Sequence, residues 1–422
     1  MKIRVLRKIK INPISLILLK ILIMGLIGIP IAYFFDKKGY INNFAQNPSK
    51  ENFILISYLY TLYGFMVIAL LYYGLGLKRK INTYIDRKII HFTKTHYELL
   101  WLITFVLALL CFGYVFFQAG IIHPAIEALK SDYSGISVLR HKINLAINMN
   151  IYNVGFKFFL PINIIISLLL LKRRIFSFLS IFLFVVMGTF VLEKGVIVST
   201  LLLLVFFRIL LSKIPFKKLL QYGFISLGLI SVMYFLTRFA TSLPSLFPMI
   251  SGRILYGQIS DLPTYFELFS KYKISLTSIF PPYLTNIFGQ GGVKAASLLV
   301  MEHTNPTAVA QGTAGVANTF FIGEAYAVAG HIGAILSPFI IMVNLVFFVY
   351  LFTKLKKNIY LVFLFSWFLF RTFDGIFVGI GYFIFSGIQI ILLVLFYYLF
   401  SYTFVKNAKK IKMKREIVKE KN

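Results

Sequence analysis

Two ionisable side chains stand at the mouth of an apolar run. They are Glu324 and His331 in GVANTFFIGEAYAVAGHIGAI (315 to 335), which leads into LSPFIIMVNLVFFVYLF. An ionisable group costs several kcal/mol in hydrocarbon unless it is paired, hydrated or used, so both are functional candidates. Their spacing is about two helical turns, which on a helix sets them on one face, roughly 10 Å apart along the axis. There Glu324 acts as a general base or orients a substrate hydroxyl, or else it pairs with a nearby arginine. His331 lies deeper in apolar surroundings and reads as a hydrogen-bonded structural histidine.

A second set consists of cations near the ends of apolar runs: Arg140, Lys194, Arg238, Arg253 and Arg371. Arginine grips phosphate oxygens with a planar, permanently charged fork, and lysine adds a point charge. Such a set suits a lipid-linked pyrophosphate, whereas any one member alone is also explained by snorkelling at the membrane surface. Arg238 sits directly after the seventh apolar run, Arg253 opens the segment RILYGQISDLPTYFELF, and these two are the stronger pair. His303, in MEHTNPT, is a further candidate for catalysis or substrate binding, and Asp374, in FRTFDGIF, reads as a cap of its turn beside Arg371. Walker, dinucleotide, zinc-protease, C-x-x-C and nucleophile-elbow motifs are missing, so no cofactor is expected. The acids on the same side as these cations are scattered singly, which disfavours metal dependence. The single cysteine, Cys111, sits inside an apolar run and offers no disulfide framework.

The elements that must position these residues are membrane spans. The chain is 59% hydrophobic, with a mean hydropathy of +0.83. Apolar stretches able to cross about 30 Å of hydrocarbon are read at 13 to 34, 53 to 76, 97 to 117, 154 to 171, 175 to 191, 196 to 211, 219 to 237, 326 to 352, 359 to 378 and 381 to 403. The expectation is an all-α integral membrane protein of about ten transmembrane helices, in which the pairs at 175/196 and 359/381 have the shortest turns. The first run is too long and too well flanked for a cleaved signal peptide.

Basic residues set the orientation, because short cytoplasmic loops are rich in Lys and Arg. The two termini and the segments 77 to 94, 172 to 174, 212 to 218 and 354 to 357 hold 28 of the 44 Lys and Arg residues. Both termini are therefore placed in the cytoplasm, and the net charge of +30 needs no nucleic acid to explain it. Ten of the 14 acidic residues, among them Asp261, Glu302, Glu324 and Asp374, fall on the other side.

One external loop, 238 to 325 between spans seven and eight, is far longer than an ordinary connection, and loops of that size are functional or disordered. Its composition argues against disorder. RILYGQISDLPTYFELF suggests elements lying in the membrane interface, a Pro-Pro turn follows at 281 and 282, and TNPTAVAQGTAGVANT lets backbone approach a ligand closely. A second external loop spans about 118 to 153. Without repeats or linkers, residues 1 to 422 read as one polytopic membrane domain with the 238 to 325 loop inside it.

These features resemble the Wzy-type O-antigen or oligosaccharide repeat-unit polymerases. The resemblance rests on the span number, on a late external loop bounded by RFATSLPSLFPMISGRILYG, and on its exit through Phe320, Phe321, Glu324, Tyr326, Gly330 and Gly333. The arginine, ten residues, glycine pattern of some members is not reproduced: Thr264 and Ile151 stand where glycine would follow Arg253 and Arg140. The resemblance implies a metal-independent glycosyltransferase of the bacterial inner membrane. Its substrates would be undecaprenyl pyrophosphate-linked oligosaccharides and its setting the lipid bilayer, with a chain-length regulator as a further partner and no nucleic acid. It also implies that Arg238 and Arg253, helped by Arg140 and Lys194, bind pyrophosphate while Glu324 or His303 handles the acceptor. Two alternatives stay open: an O-antigen ligase of similar architecture, and a flippase or transporter. A membrane acyltransferase is disfavoured because its histidine would be wanted early in the chain and outside, whereas His91 and His96 fall on the cytoplasmic side.

Overall fold

The computed structural model describes residues 12 to 35, 51 to 90, 93 to 120, 146 to 190, 194 to 212, 257 to 279, 294 to 310 and 317 to 381, with single positions elsewhere. Among the described residues the fold is helical, without strands; one isolated bridge joins Ile90 and Asn358.

Five helices are long and apolar enough to cross a membrane: α1 (Pro13–Phe34), α2 (Glu51–Gly74), α4 (Lys94–Ala119), α5 (Ile151–Leu171) and α11 (Phe321–Lys354). Between α2 and α4 lies the shorter α3 (Leu77–Asp86). Helices α6 (Arg174–Phe190), α7 (Lys194–Leu211) and α12 (Ile359–Gly375) are apolar but have 17, 18 and 17 residues, about 25 to 27 Å of helix. The 238 to 325 loop contributes α8 (Leu262–Lys271), α9 (Ala296–Thr304) and α10 (Pro306–Ala310). Of the ten expected spans, those at 219 to 237 and 381 to 403 fall largely outside the described residues, as do Arg140, Arg238, Arg253 and the Pro-Pro turn.

Helix α12 is the centre of the bundle. An all-round apolar helix has no face to give to water and is stable inside a protein or a membrane; in α12 every residue from Leu361 to Phe370 is buried by protein. It packs on α7, α1 and α11. Polar side chains tie the neighbouring helices, where hydrocarbon offers no competing water. Asn163 of α5 donates to the Trp101 carbonyl (2.7 Å) and to Thr104 Oγ1 (3.1 Å) on α4, while the Trp101 indole donates to Ser180 Oγ on α6 (2.9 Å). Ser180 Oγ in turn donates to Asn163 Oδ1, so all three side chains are satisfied.

The basic segments meet at one end. Asn12 Nδ2 donates to Asn82 Oδ1 at 3.3 Å, and Lys357 Nζ donates to the carbonyls of Ile85 (2.8 Å) and Leu211 (3.2 Å). Burial lowers the Lys357 ammonium to about 8, against the raising effect of Asp86. Arg173 pairs with Glu98 at 3.0 Å. Within 77 to 94, α3 buries Leu77, Ile81, Tyr84 and Ile85 and leaves Lys78 and Arg79 exposed.

Helix α8 is packed into the bundle. Its Tyr265, Phe266 and Phe269 are each no more than 1% exposed, because α8 packs against α2 and α11. The aromatic side chains of this part of the loop are thus covered by protein.

Candidate functional site

Two backbone amides converge on the Glu324 carboxylate. Helix α12 ends at Gly375, the chain turns through 376 to 378, and the next helix starts at 380. The Gly381 amide donates to Glu324 Oε2 at 3.0 Å, and the Ile380 amide also donates to the carboxylate. A carboxylate suits that position, since the first amides of a helix have no partner within the helix and carry the positive end of its dipole. Gly379 lies so close that an added Cβ would stand 2.3 Å from Oε2. From the other direction, Phe321 N donates to the Ile376 carbonyl (3.1 Å), and Phe320 packs on Phe377 with ring centroids 5.4 Å apart.

Asp261 is the second acid of this end. It is 8% exposed, and Oδ2 accepts the Asn318 amide at 3.0 Å. Burial pushes its carboxyl up to about 6, although the Asn318 hydrogen bond favours the charged form. Tyr265 lies within the electrostatic reach of both acids, and its hydroxyl donates to the Ala317 carbonyl at 3.4 Å. Burial first, then the charges of Glu324 and Asp261, raise the Tyr265 phenol well above its ordinary value. Glu324, Asp261 and Tyr265 therefore share one electrostatic neighbourhood, built by α8, the 317 to 320 segment and the 376 to 381 turn.

The expectation that Glu324 and His331 share a helical face is overturned. Helix α11 is broken at Ala329 (φ −126°, ψ 16°) and Gly330 (φ 61°, ψ −145°). The second conformation is open essentially to glycine alone. Beyond the break His331 lies on the surface of the bundle, and Tyr60 OH lies 2.6 Å from its Nδ1. Tyr60 stacks on Phe266 at 5.4 Å, Tyr326 meets His331 edge-on at 5.2 Å, and Lys273 Nζ stands 4.1 Å over the Tyr326 ring. Hydrogen bonding of His331 was anticipated, but its partner on α2 was not. Farther along, Pro338 removes the amide that would serve the Ala334 carbonyl, and the Ser337 hydroxyl takes its place at 3.0 Å.

The other sequence candidates are dispersed. His303 is exposed on α9, where Lys294 and Glu302 form a surface pair at 2.7 Å. Lys194 begins α7. Arg371 lies over the Trp367 ring at 5.5 Å. Asp374 acts electrostatically on Lys20, whose ammonium donates to the Phe373 carbonyl at 2.8 Å and faces the Phe373 ring at 4.5 Å. Arg140, Arg238 and Arg253 lie outside the described residues. Among the described residues no group of three or more His, Cys, Asp and Glu is placed to hold a metal ion.

Sequence reasoning missed the 379 to 381 turn, Tyr265 as a neighbour of both acids, and the Tyr60, Lys273 and Tyr326 cluster. The G-I-G at 379 to 381 was the available signal for the first; the others are brought together only by tertiary packing. Comparison of the chain with family models, curated proteins and solved structures finds no match.

Proposed function

We propose that the chain is a membrane glycosyltransferase that polymerises lipid-linked oligosaccharide repeat units. In this reading the acceptor sugar hydroxyl attacks the anomeric carbon of a glycan held on a polyprenyl pyrophosphate. A C–O bond to the acceptor forms, the C–O bond to pyrophosphate breaks with its electron pair, and the hydroxyl proton passes to a protein base. The leaving pyrophosphate carries the driving force, so no nucleotide is consumed. Fixed cations that match the charge developing on it lower the barrier.

What supports the reading is the enclosed acid Glu324, with Asp261 and Tyr265 beside it, under the helices of the long loop and at the end of α11 away from the basic segments. Glu324 is assigned to the acceptor, as base or as holder of the hydroxyl. Arg238 and Arg253, with Arg140 and Lys194, are assigned to pyrophosphate, and His303 stays as the second candidate on the acceptor. The sided distribution of Lys and Arg supports an N-in, C-in arrangement in a bacterial inner membrane, with the loop outside.

Transport is the second reading, favoured by a specific observation: a membrane helix broken at Ala329 and Gly330, together with Lys20 half-buried against the end of α12 and within the electrostatic reach of Asp374. Broken helices and buried charges are common at substrate sites of transporters. A deletion strain complemented with variants separates the possibilities. Loss of a polymerase leaves single repeats on the surface acceptor, loss of a ligase leaves polymer on the lipid carrier, and loss of a flippase leaves repeats on the inner leaflet. If Arg238→Ala and Arg253→Ala support full-length polymer at normal protein levels, the pyrophosphate assignment is wrong.

A further inference from the structure

At the far end of α11, two adjoining cavities form one continuous recess. An apolar groove of about 720 Å³ runs between α2 and α11 past Leu71, Leu75, Val343, Val346, Phe347 and Tyr350. It opens into a pocket of about 490 Å³ lined by Arg79, Lys80, Arg87 and Lys354, with Thr83. Leu75, Tyr350 and Lys354 line both.

The geometry follows from the elbow between α2 and α3. Gly76, at φ 63°, adopts the left-handed conformation that lets the chain turn there. The buried face of α3 then fixes it to the bundle, so that Arg79, Lys80 and Thr83 line the pocket. Lys80 Nζ lies 3.8 Å over the Tyr350 ring. Arg87 is partly engaged, donating to the carbonyls of Thr353 and Leu355 at the end of α11. Arg79 and Lys354 are exposed. Among the described residues no carboxylate lines either cavity, and Asp86, the single acid of α3, acts on Lys357 instead. The groove wall is open: Val343 is 69% and Phe347 52% exposed.

We propose that this recess binds one anionic phospholipid. Its acyl chain lies along the groove, and its phosphate sits against Arg79, Lys80 and Lys354. The charge complementarity selects the occupant: four cations without a carboxylate favour a headgroup of net negative charge, and basic pockets between membrane helices are suited to such lipids. A zwitterionic lipid brings the same phosphate together with a cation that the pocket repels. A free phosphate gains nothing from the groove. The general excess of Lys and Arg at this end would attract anionic lipid diffusely, without saturation at one molecule. The inference is independent of the proposed polymerase, since Glu324 lies at the opposite end of α11.

Native mass spectrometry of the full-length protein in detergent, titrated with dioleoyl phosphatidylglycerol, dioleoyl phosphatidylcholine or glycerol phosphate, tests it. The expected result is one retained phosphatidylglycerol, preferred about tenfold over phosphatidylcholine and not displaced by glycerol phosphate. The triple variant Arg79→Gln, Lys80→Gln, Lys354→Gln should bring that preference to about parity. Val343→Trp, at an exposed position that leaves the charges intact, should weaken retention of phosphatidylglycerol about tenfold by filling the groove. Equal retention of both lipids by the unaltered protein, an unchanged preference in the triple variant, or displacement by glycerol phosphate would each overturn the proposal. Should the triple variant fail to fold, the unaltered protein and Val343→Trp still decide.

Discussion

The carboxylate of Glu324 accepts the backbone amide of Gly381, a residue on the helix after next, at 3.0 Å. That contact makes Glu324 an anchor of the turn that follows α12 as well as a candidate for chemistry. The two roles are compatible, because a carboxylate held by backbone amides is oriented before any substrate arrives.

The turn gives a first test. Gly379→Ala places a methyl group on the Glu324 carboxylate and should destabilise the protein by about 1 to 3 kcal/mol through overpacking. Glu324→Ala leaves the amides of 380 and 381 without their acceptor and should also destabilise. The double variant should be more stable than the sum of the single losses, with a coupling of about 1 kcal/mol or more. Thermal melts of the four proteins in one detergent measure it, and simple additivity would refute the contact.

Asp261 predicts a pH dependence. Its folded carboxyl titrates near 6, against about 3.9 in an unfolded chain. The folded state therefore holds the proton more tightly, and the contribution of this group to stability is full below about pH 4 and lost as pH rises through about 6. Asp261→Asn keeps an oxygen for the Asn318 amide and removes the titration. It should flatten the melting temperature between pH 4 and 7 and raise stability at pH 7 by on the order of 2 kcal/mol. A fall with pH that is equally steep in the variant would place its origin elsewhere.

Gly330 stands where side chains are strained, at φ 61° and ψ −145°. Gly330→Ala should cost about 1 to 3 kcal/mol, and the Cβ would also stand 3.1 Å from Lys273 Cε. Gly74, with open space around it at the end of α2, is the control: Gly74→Ala should be neutral or slightly stabilising. Comparable losses at both positions would contradict the broken helix.

Asn163→Ala removes the side chain that links α4, α5 and α6. The expected cost is about 1 to 2 kcal/mol, the range of interhelical hydrogen bonds in membranes. It should be read as a lower midpoint in a denaturation titration, and an unaltered midpoint would refute the link.

The long apolar runs were legible in the sequence because span length and hydropathy are local quantities. Those at 13 to 34, 53 to 76, 97 to 117, 154 to 171 and 326 to 352 correspond to the five long helices. What escaped is conformational or long-range. Hydropathy is blind to the positive φ of Gly330, so α11 reads as one helix and sets Glu324 and His331 on one face. In α3 the adjacent Lys78, Arg79 and Lys80 obscure the 3.6-residue rhythm of Leu77, Ile81, Tyr84 and Ile85. Tyr60 and His331 are 271 positions apart, and no local pattern announces their meeting. Glu324 itself was legible, because an acid at the mouth of an apolar run is conspicuous, but its partners at 380 and 381 were not.

Polymerisation is tested with the purified full-length protein in vesicles that carry a polyprenyl pyrophosphate-linked repeat unit. No nucleotide is added, a chelator is present, and products are read by mass spectrometry. A polymerase yields glycans of two or more repeats together with released polyprenyl pyrophosphate, both strongly reduced in Glu324→Ala at equal protein levels. Movement of intact lipid-linked repeats between leaflets, without glycan growth, would contradict it.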